Sequence, residues 1–199
     1  MNIDGSAAHR IVKKRVFYGE SMPAWSPDGT RIVYDRLTGS RPNADIYVMN
    51  ADGTNQRQLV ASRGADGEPD FTPDGQRVLF SRESAKVPRR PASLASDIRY
   101  NLEIWSVSAS GGDLKRLTNR KGDDYQPRVS PDGTRYTYNV DTKCPGKACN
   151  VDVWVGYLDG VTPAVQLTSD TSFESGAAWG TPAAPGATPT LPAPSTPTP

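Results

Sequence analysis

Three short segments decide the fold: Trp25-Ser26-Pro27-Asp28-Gly29, Phe71-Thr72-Pro73-Asp74-Gly75 and Val129-Ser130-Pro131-Asp132-Gly133. They recur at spacings of 46 and 58 residues, which is typical of propeller blades and solenoid repeats. In each segment the proline fixes φ, the aspartate can hydrogen-bond back to the backbone, and the glycine accepts positive φ. A run typical of a β-strand follows each turn: Arg31–Tyr34, Arg77–Phe80 and Arg135–Tyr138. The pattern therefore predicts two strands joined by a tight turn in every repeat.

A second recurrence lies downstream in each repeat and predicts two further strands. An acid opens a strand-like run, a glycine-containing turn follows, and a short strand ends the unit. The runs are Asp45–Asn50, Glu103–Val107 and Asp152–Tyr157, the turns are Asp52-Gly53, Gly111-Gly112 and Asp159-Gly160, and the last strands end in Gln58-Leu59, Arg116-Leu117-Thr118 and Gln166-Leu167-Thr168. Four antiparallel strands at this period favour a β-propeller, and helical periodicity of useful length is absent from the sequence.

Composition narrows the classes of function. The 199 residues carry 23 basic and 22 acidic side chains, so no charge excess argues for a nucleic-acid partner. No stretch approaches the roughly 18 apolar residues of a membrane-spanning helix. His9 is the one histidine of the chain, which excludes a histidine-rich metal centre. Glycine and proline, at 18 each, agree with an all-β, turn-rich chain.

The repeat resembles the WD40-like PD40 repeat of bacterial TolB-type propellers, in which a Trp-Ser-Pro-Asp-Gly core opens each blade. Trp25–Gly29 and Ile46–Thr54 match that pattern, whereas Val129 replaces the aromatic residue in the third unit. The resemblance covers residues 1 to about 180 and implies the propeller fold. It implies less about function, because such propellers serve as binding scaffolds, envelope proteins and accessory domains of enzymes.

The repeats predict an incomplete propeller at 1–180, with blades at about 21–60, 67–118 and 125–168. Residues 1–12 align without a gap with 49–60, and Ala178-Trp179 matches Ala24-Trp25, so partial strands are expected at 1–12 and 176–180. Residues 181–199 are rich in Pro, Thr and Ala and are expected to be a disordered tail. Three blades alone would expose two apolar faces. The chain is therefore expected to be a fragment of a longer protein, with self-association through the open faces as the alternative.

An acid stands five residues before the apolar position that opens each turn, in all four units. These acids are Glu20, Asp66, Asp124 and Glu174. At the mouth of a propeller channel such a ring of carboxylates could hold a hard cation such as Ca²⁺ or a basic peptide segment. The alternative is that they cap turns or pair with arginines. The sequence assigns no residue as a metal ligand.

Cys144 and Cys149 flank a four-residue loop in the third blade. They are candidates for a disulfide, which would imply an oxidising compartment, and two free thiols are the alternative. Zinc is not expected, because the chain lacks the further ligands that a zinc site needs. The insertion between Glu83 and Asn101 is expected to be a solvated loop, with a partner-binding role as the alternative.

The four tryptophans, Trp25, Trp105, Trp154 and Trp179, recur in phase with the repeats, and we assign them to the blade core. No G-x-S-x-G elbow or phosphate-binding loop is present, so no catalytic residue and no cofactor are assigned. The sequence thus predicts a non-catalytic TolB-like scaffold that binds a protein or peptide, in the periplasm or outside the cell. The alternative is the accessory propeller of a larger hydrolase, such as a serine peptidase of the prolyl-oligopeptidase kind.

Overall fold

A computed structural model of the chain describes residues 11–12, 19–38, 43–83, 101–120, 122–141, 150–169 and 174–180. These residues form strands, turns and irregular segments without a helix, so the predicted all-β class is confirmed. The twelve strands are β1 Glu20–Trp25, β2 Arg31–Thr38, β3 Asn43–Asn50, β4 Arg57–Val60, β5 Asp66–Phe71, β6 Arg77–Glu83, β7 Leu102–Ser108, β8 Lys115–Arg116, β9 Asp123–Val129, β10 Arg135–Asp141, β11 Val151–Tyr157 and β12 Val165–Gln166.

The strands form three antiparallel sheets of four, each in sequence order from the inner to the outer edge. We call them blade 1 (β1–β4), blade 2 (β5–β8) and blade 3 (β9–β12). The inner strand of each later blade packs against the preceding one: β5 contacts β1, β2 and β3, and β9 contacts β5, β6 and β7. The predicted incomplete propeller of four-stranded blades is therefore confirmed.

Two apolar clusters fill the joints between the blades. The cluster between blades 1 and 2 includes Val33, Ile46, Phe71 and Phe80. The cluster between blades 2 and 3 includes Leu79, Ile104, Tyr136, Tyr138 and Val140. Alternating residues on each strand face the two neighbouring blades, because successive side chains of a strand point to opposite faces of the sheet. Each blade is thus apolar on both faces and needs a neighbour on each.

The turns between the first two strands of each blade share one hydrogen-bonding arrangement. In blade 1, Asp28 Oδ1 accepts hydrogen bonds from Ser26 Oγ at 2.6 Å and from the Thr30 N–H at 3.0 Å. Ser26 Oγ also accepts the Arg31 N–H at 2.9 Å. Thr72 with Asp74, and Ser130 with Asp132, repeat these contacts in the other blades. The side chains of the motif therefore fix the hairpin from inside the turn.

A bulge interrupts the inner strand of every blade at the same place. The residue at the bulge has positive φ, and it is Met22 in blade 1, Glu68 in blade 2 and Gln126 in blade 3. A proline follows each of the three, and the ladder with the second strand shifts register there. Gly176 stands at the corresponding position of the fourth unit and also has positive φ. The bulges turn the inner strands in the same way in each unit.

The structure corrects one assignment of the sequence analysis. Trp25 is 60% exposed, so it does not belong to the core. Trp105 and Trp154 are half-buried and pack against the two apolar clusters, and Trp179 is half-buried. Trp25 differs from the other three because no described residue covers the inner-strand half of blade 1 on the face where its side chain lies.

Several expectations lie outside the described residues. They concern the pairing of Cys144 and Cys149, the insertion at 84–100, the first ten residues and the tail at 181–199. Residues 11 and 12 are described, and they pack against Ile32, Tyr34 and Met49 of blade 1. Within the described residues no helix is long and apolar enough to cross a membrane.

Candidate functional site

The inner strand of blade 1 presents a surface that its counterpart in blade 2 does not. Ser21, Met22, Pro23 and Trp25 are all exposed, with Met22 at 47% and Trp25 at 60%. We call these four residues the blade 1 inner surface. In blade 2 the residue that corresponds to Trp25 is Phe71, and only 5% of it is exposed. The contrast makes this surface the candidate site of the described chain for a protein or peptide.

The two aromatic residues that correspond to Trp25 show what a covered position looks like. The Arg31 guanidinium of blade 1 lies 5.3 Å from the centre of the Phe71 ring in blade 2. The Arg135 guanidinium of blade 3 lies 5.1 Å from the centre of the Trp179 ring. Trp179 Nε1 also donates a hydrogen bond of 2.8 Å to the Arg128 carbonyl oxygen. A covered aromatic residue thus receives a cation on its face and, for an indole, an acceptor at its edge.

Two of the four predicted channel-mouth carboxylates form ion pairs with arginines of the adjacent strand. Glu20 lies opposite Arg36 in the β1–β2 ladder and pairs with it at 3.2 Å. Asp66 lies opposite Arg82 in the β5–β6 ladder, and the two pair through contacts of 2.7 and 3.0 Å. Burial raises the pKa of Asp66, and Arg82 opposes that rise.

The paired arginines also stack on the aromatic residue of the third strand. The Arg36 guanidinium lies 4.4 Å from the centre of the Tyr47 ring, and that of Arg82 lies 5.2 Å from the centre of the Trp105 ring. One guanidinium therefore joins the carboxylate of the inner strand to the aromatic ring of the third strand in blades 1 and 2.

Blade 3 departs from this arrangement at two positions. The residue opposite Asp124 in the β9–β10 ladder is Val140, where the other blades have arginine. The ring of Trp154 is covered instead by Arg120, which precedes β9 and lies 3.5 Å from the ring centre. In blade 3 the arginine that stacks on the ring thus comes from the segment between blades and not from the second strand. It forms no hydrogen bond to Asp124.

Asp124 is consequently buried without a hydrogen bond. Its exposed fraction is 0%, and neither carboxylate oxygen has a hydrogen-bond partner. Burial raises the pKa of Asp124 to about 6, a rise that the nearby Thr118 hydroxyl and Arg120 guanidinium only partly oppose. The fourth acid, Glu174, anchors its segment differently, because its N–H donates to the Val151 carbonyl oxygen at 3.0 Å.

Metal binding at the channel mouth stays a prediction. Among the described residues, no group of three or more His, Cys, Asp or Glu side chains is gathered in a way that could hold a metal ion. Of the four candidates, Glu20 and Asp66 are already engaged by arginines. A basic peptide segment would have to compete with Arg36 and Arg82 for the same oxygens.

A chain of polar contacts links the bulges across the joints. The N–H of Glu68 in blade 2 donates to Asp35 Oδ2 of blade 1 at 3.2 Å. The N–H of Gln126 in blade 3 donates to Glu68 Oε2 at 2.7 Å, and the same oxygen accepts from Ser81 Oγ at 2.7 Å. The bulges therefore place backbone donors toward the preceding blade, where side-chain oxygens accept them. The sequence analysis did not identify this feature, although the residue-Pro pair repeated in each inner strand marks its place.

The exposed aspartates of the turns are engaged locally. The Ser26 hydroxyl, with the N–H and hydroxyl of Thr30, lowers the pKa of Asp28 to about 2. Hydrogen bonds from Thr72 and the Gln76 N–H lower the pKa of Asp74, and those from Ser130 and the Thr134 N–H lower that of Asp132. These carboxylates are ionised at neutral pH and are used to hold the turns.

Comparison with known proteins places the chain beside TolB propellers. No family model matches it. An uncharacterised protein of Agrobacterium fabrum is 28% identical over 68% of this chain and 42% of its own length. The Tol-Pal system protein TolB of Bordetella pertussis is 34% identical over 56% of this chain and 32% of its own length. An uncharacterised peptidase of Bacillus subtilis is 25% identical over 60% of this chain and 21% of its own length. The chain thus spans less than half the length of these curated relatives.

Solved structures that resemble this chain also include TolB proteins. A candidate TolB from Agrobacterium tumefaciens superposes with a TM-score of 0.58 at 25% identity, covering 75% of this chain and 49% of that one. TolB from Acinetobacter baumannii gives 0.57 at 21% identity, covering 77% and 33%. A prolyl endopeptidase gives 0.56 at 14% identity, covering 77% and 22%, and shows likeness of fold alone. The chain therefore has a TolB-like propeller fold, as the resemblance implied.

Proposed function

We propose that this chain is a non-catalytic TolB-like propeller scaffold that binds a protein or peptide partner through the blade 1 inner surface. The observation that carries the proposal is the exposure of Trp25, at 60%, in a repeat whose corresponding Phe71 is 5% exposed. A partner that covers Trp25 would bury a large aromatic ring, which is the kind of side chain that dominates binding energy at interfaces.

The polar side chains of the described residues support a scaffold role. The turn aspartates hold backbone N–H groups, two inner-strand acids pair with arginines, and Glu68 joins two blades. Such contacts fix the shape of each blade, and a preformed surface suits partner binding because little conformational entropy is lost. Several relatives are named for the Tol-Pal system, which is consistent with a protein partner.

We further propose that the chain acts in the bacterial periplasm or outside the cell, as part of a longer protein that carries PD40 repeats. The relatives named TolB support this placement by resemblance. A third possibility is self-association through the open faces of the blades. Light scattering tests it, because self-association would give a sharp dimer.

The binding proposal is tested by selecting peptides from a random displayed library on the immobilised full chain. Affinities of the selected peptides are then measured for the wild type, Trp25→Ser and Val161→Ser. Val161 is 83% exposed but lies in the turn before β12, so it is a matched control for the loss of an exposed apolar side chain. We expect W25S to weaken binding at least tenfold and V161S to leave it unchanged. Failure to select any peptide, or equal binding by W25S, would contradict the proposal.

A second candidate is an accessory propeller of a larger hydrolase. The similarity to the Bacillus subtilis peptidase and to the prolyl endopeptidase propeller favours it. The discriminating observation is the reading frame on either side of the coding sequence. A G-x-S-x-G segment within a hydrolase sheet would support this candidate, whereas further Ser-Pro-Asp-Gly repeats upstream would support the scaffold.

A further inference from the structure

The two joints between blades differ in how they treat the inner-strand acid. At the joint between blades 1 and 2, Asp66 is buried and paired with Arg82. At the joint between blades 2 and 3, Asp124 is equally buried, and Val140 stands where the arginine would be. The two joints are otherwise alike in the strands that contact one another. The joint between blades 2 and 3 therefore differs from the other joint in lacking an arginine opposite its buried acid.

The groups around Asp124 do not replace the missing arginine. On the blade 2 side lie Glu103 of β7, whose carboxylate is held by Arg116, and Thr118 and Arg120 after β8. Thr118 Oγ1 accepts the Ile104 N–H at 2.9 Å, and Arg120 lies on the Trp154 ring. On the blade 3 side, Asp123 adds another negative charge, and Tyr136 and Tyr138 face the carboxyl group from β10. Two of these neighbours repel the ionised carboxylate.

A buried carboxylate without partners weakens the contact that buries it. Removing a charge from water without hydrogen bonds or a counter-ion carries a penalty that is relieved when the group returns to solvent. For Asp124 the relief requires that blade 3 move away from blade 2, since the carboxyl group lies between them. The burial-induced rise of its pKa has the same origin.

We propose that the joint between blades 2 and 3 is a built-in opening point of this segment, at which blade 3 separates from blade 2 because Asp124 is buried there without a partner. Opening exposes apolar side chains of the second cluster, among them Leu79 and Tyr138, to solvent. Protonation of Asp124 closes the joint, and ionisation favours its opening.

Backbone N–H groups that cross the joints report on opening directly. The N–H of Gln126 donates to Glu68 Oε2, and that of Val129 donates to Asp70 Oδ2 at 2.9 Å, so both cross from blade 3 to blade 2. The N–H of Glu68 donates to Asp35 Oδ2 and crosses from blade 2 to blade 1. Amide hydrogen exchange at these residues therefore measures each joint separately.

The experiment is residue-resolved amide exchange by NMR on the full chain at pH 7.5, with rates corrected for intrinsic exchange. We expect Gln126 and Val129 to be less protected than Glu68 in the wild type. In Asp124→Asn, protection at Gln126 and Val129 should rise by roughly 100-fold, since the rise of the pKa of Asp124 to about 6 corresponds to about two pH units. Protection at Glu68 should stay the same.

Asp66→Asn is the matched control, because it neutralises the corresponding acid but leaves Arg82 without its partner. We expect it to reduce protection at Glu68 and to leave Gln126 and Val129 unchanged. A measurement without any substitution guards against variants that fail to fold: in the wild type, protection at Gln126 and Val129 should rise roughly tenfold from pH 7.5 to pH 5. Equal protection at both joints at pH 7.5, or no response to D124N and to pH, would overturn the proposal.

Discussion

The Arg31 guanidinium of blade 1 lies 5.3 Å from the centre of the Phe71 ring of blade 2, and no described residue makes the same contact with Trp25. The contact repeats between Arg135 and Trp179, so it occurs at both later units in which an aromatic residue holds this position. No described residue packs on the Trp25 ring, which is 60% exposed. The proposed binding role follows from that difference between equivalent positions.

The turn motif predicts a specific response to substitution of Ser130. Its side chain is fully buried and bonds Asp132 Oδ1, the Arg135 N–H and the Arg135 carbonyl oxygen. We expect Ser130→Ala to lower the free energy of unfolding by about 2 kcal/mol, because it leaves the part-buried Arg135 N–H without its acceptor. Ser130→Thr should change it by less than ~0.5 kcal/mol, since Thr72 makes the same contacts in blade 2. Urea denaturation of the three proteins checks this, and equal losses for both variants would contradict the assigned role of the hydroxyl.

Gly156 and Tyr136 are predicted to be energetically coupled. They lie opposite each other in the β10–β11 ladder, and a Cβ at Gly156 would stand 2.3 Å from Tyr136 Cζ. Blade 2 has Val78 opposite Val107 at the same positions. We expect Gly156→Val and Tyr136→Val each to cost about 2–4 kcal/mol, by overpacking and by a cavity respectively. The double variant should recover about 1–3 kcal/mol of the sum. Additive losses in a double-mutant cycle would count against the equivalence of the blades.

Glu68 is predicted to hold blades 2 and 3 through one carboxylate oxygen. Glu68→Ala removes the acceptor of the Ser81 hydroxyl and the nearer of the two acceptors of the Gln126 N–H, which also donates to Ser81 Oγ at 3.2 Å, so we expect a loss of about 1–2 kcal/mol in the free energy of unfolding. Glu68→Gln keeps a carbonyl oxygen at this place and should lose less than half as much. Equal losses for the two variants in thermal denaturation would contradict the role of the acceptor oxygen, since both variants remove the charge.

The stability of the chain is predicted to fall as pH rises through the range in which Asp124 titrates. The pKa of Asp124 is raised from 3.8 to about 6 by burial, so between these values the folded chain binds more protons than the unfolded chain. The contribution of the protonated carboxyl is complete below about pH 4 and lost above about pH 6, and it amounts to about 3 kcal/mol. The difference in unfolding free energy between wild type and Asp124→Asn isolates this contribution. A difference that does not change between pH 4 and pH 7 would contradict it.

The blades were predictable from the sequence, because the turn motif and the two strand patterns recur in phase. The length of each strand agrees with the patterns within a few residues, since turn glycines and prolines fix the ends of strands locally. The exposure of Trp25 could not be predicted, because exposure depends on a neighbouring blade rather than on the residue itself. For a similar reason the sequence left open whether the inner-strand acids bind a cation or pair with arginines. Spacing alone does not say which arginine lies across the ladder from each acid.

The partner of each acid becomes visible once the repeats are aligned on their second strands. Arg36 and Arg82 then share a column with Val140, which identifies Asp124 as an acid without an arginine opposite it in the ladder. The role of Arg120 as the arginine that covers Trp154 has no such signal, because it comes from a segment between blades whose path the repeat pattern does not determine.

The proposed function is tested most directly at Trp25 itself, by hydroxyl-radical footprinting of the full chain with and without a selected peptide. In the free chain Trp25 should be oxidised faster than Trp105, which packs against the core. On peptide binding, the oxidation rate of Trp25 should fall several-fold while that of Trp105 stays the same. Oxidation of Trp25 as slow as that of Trp105 in the free chain, or a Trp25 rate that bound peptide leaves unchanged, would contradict the account.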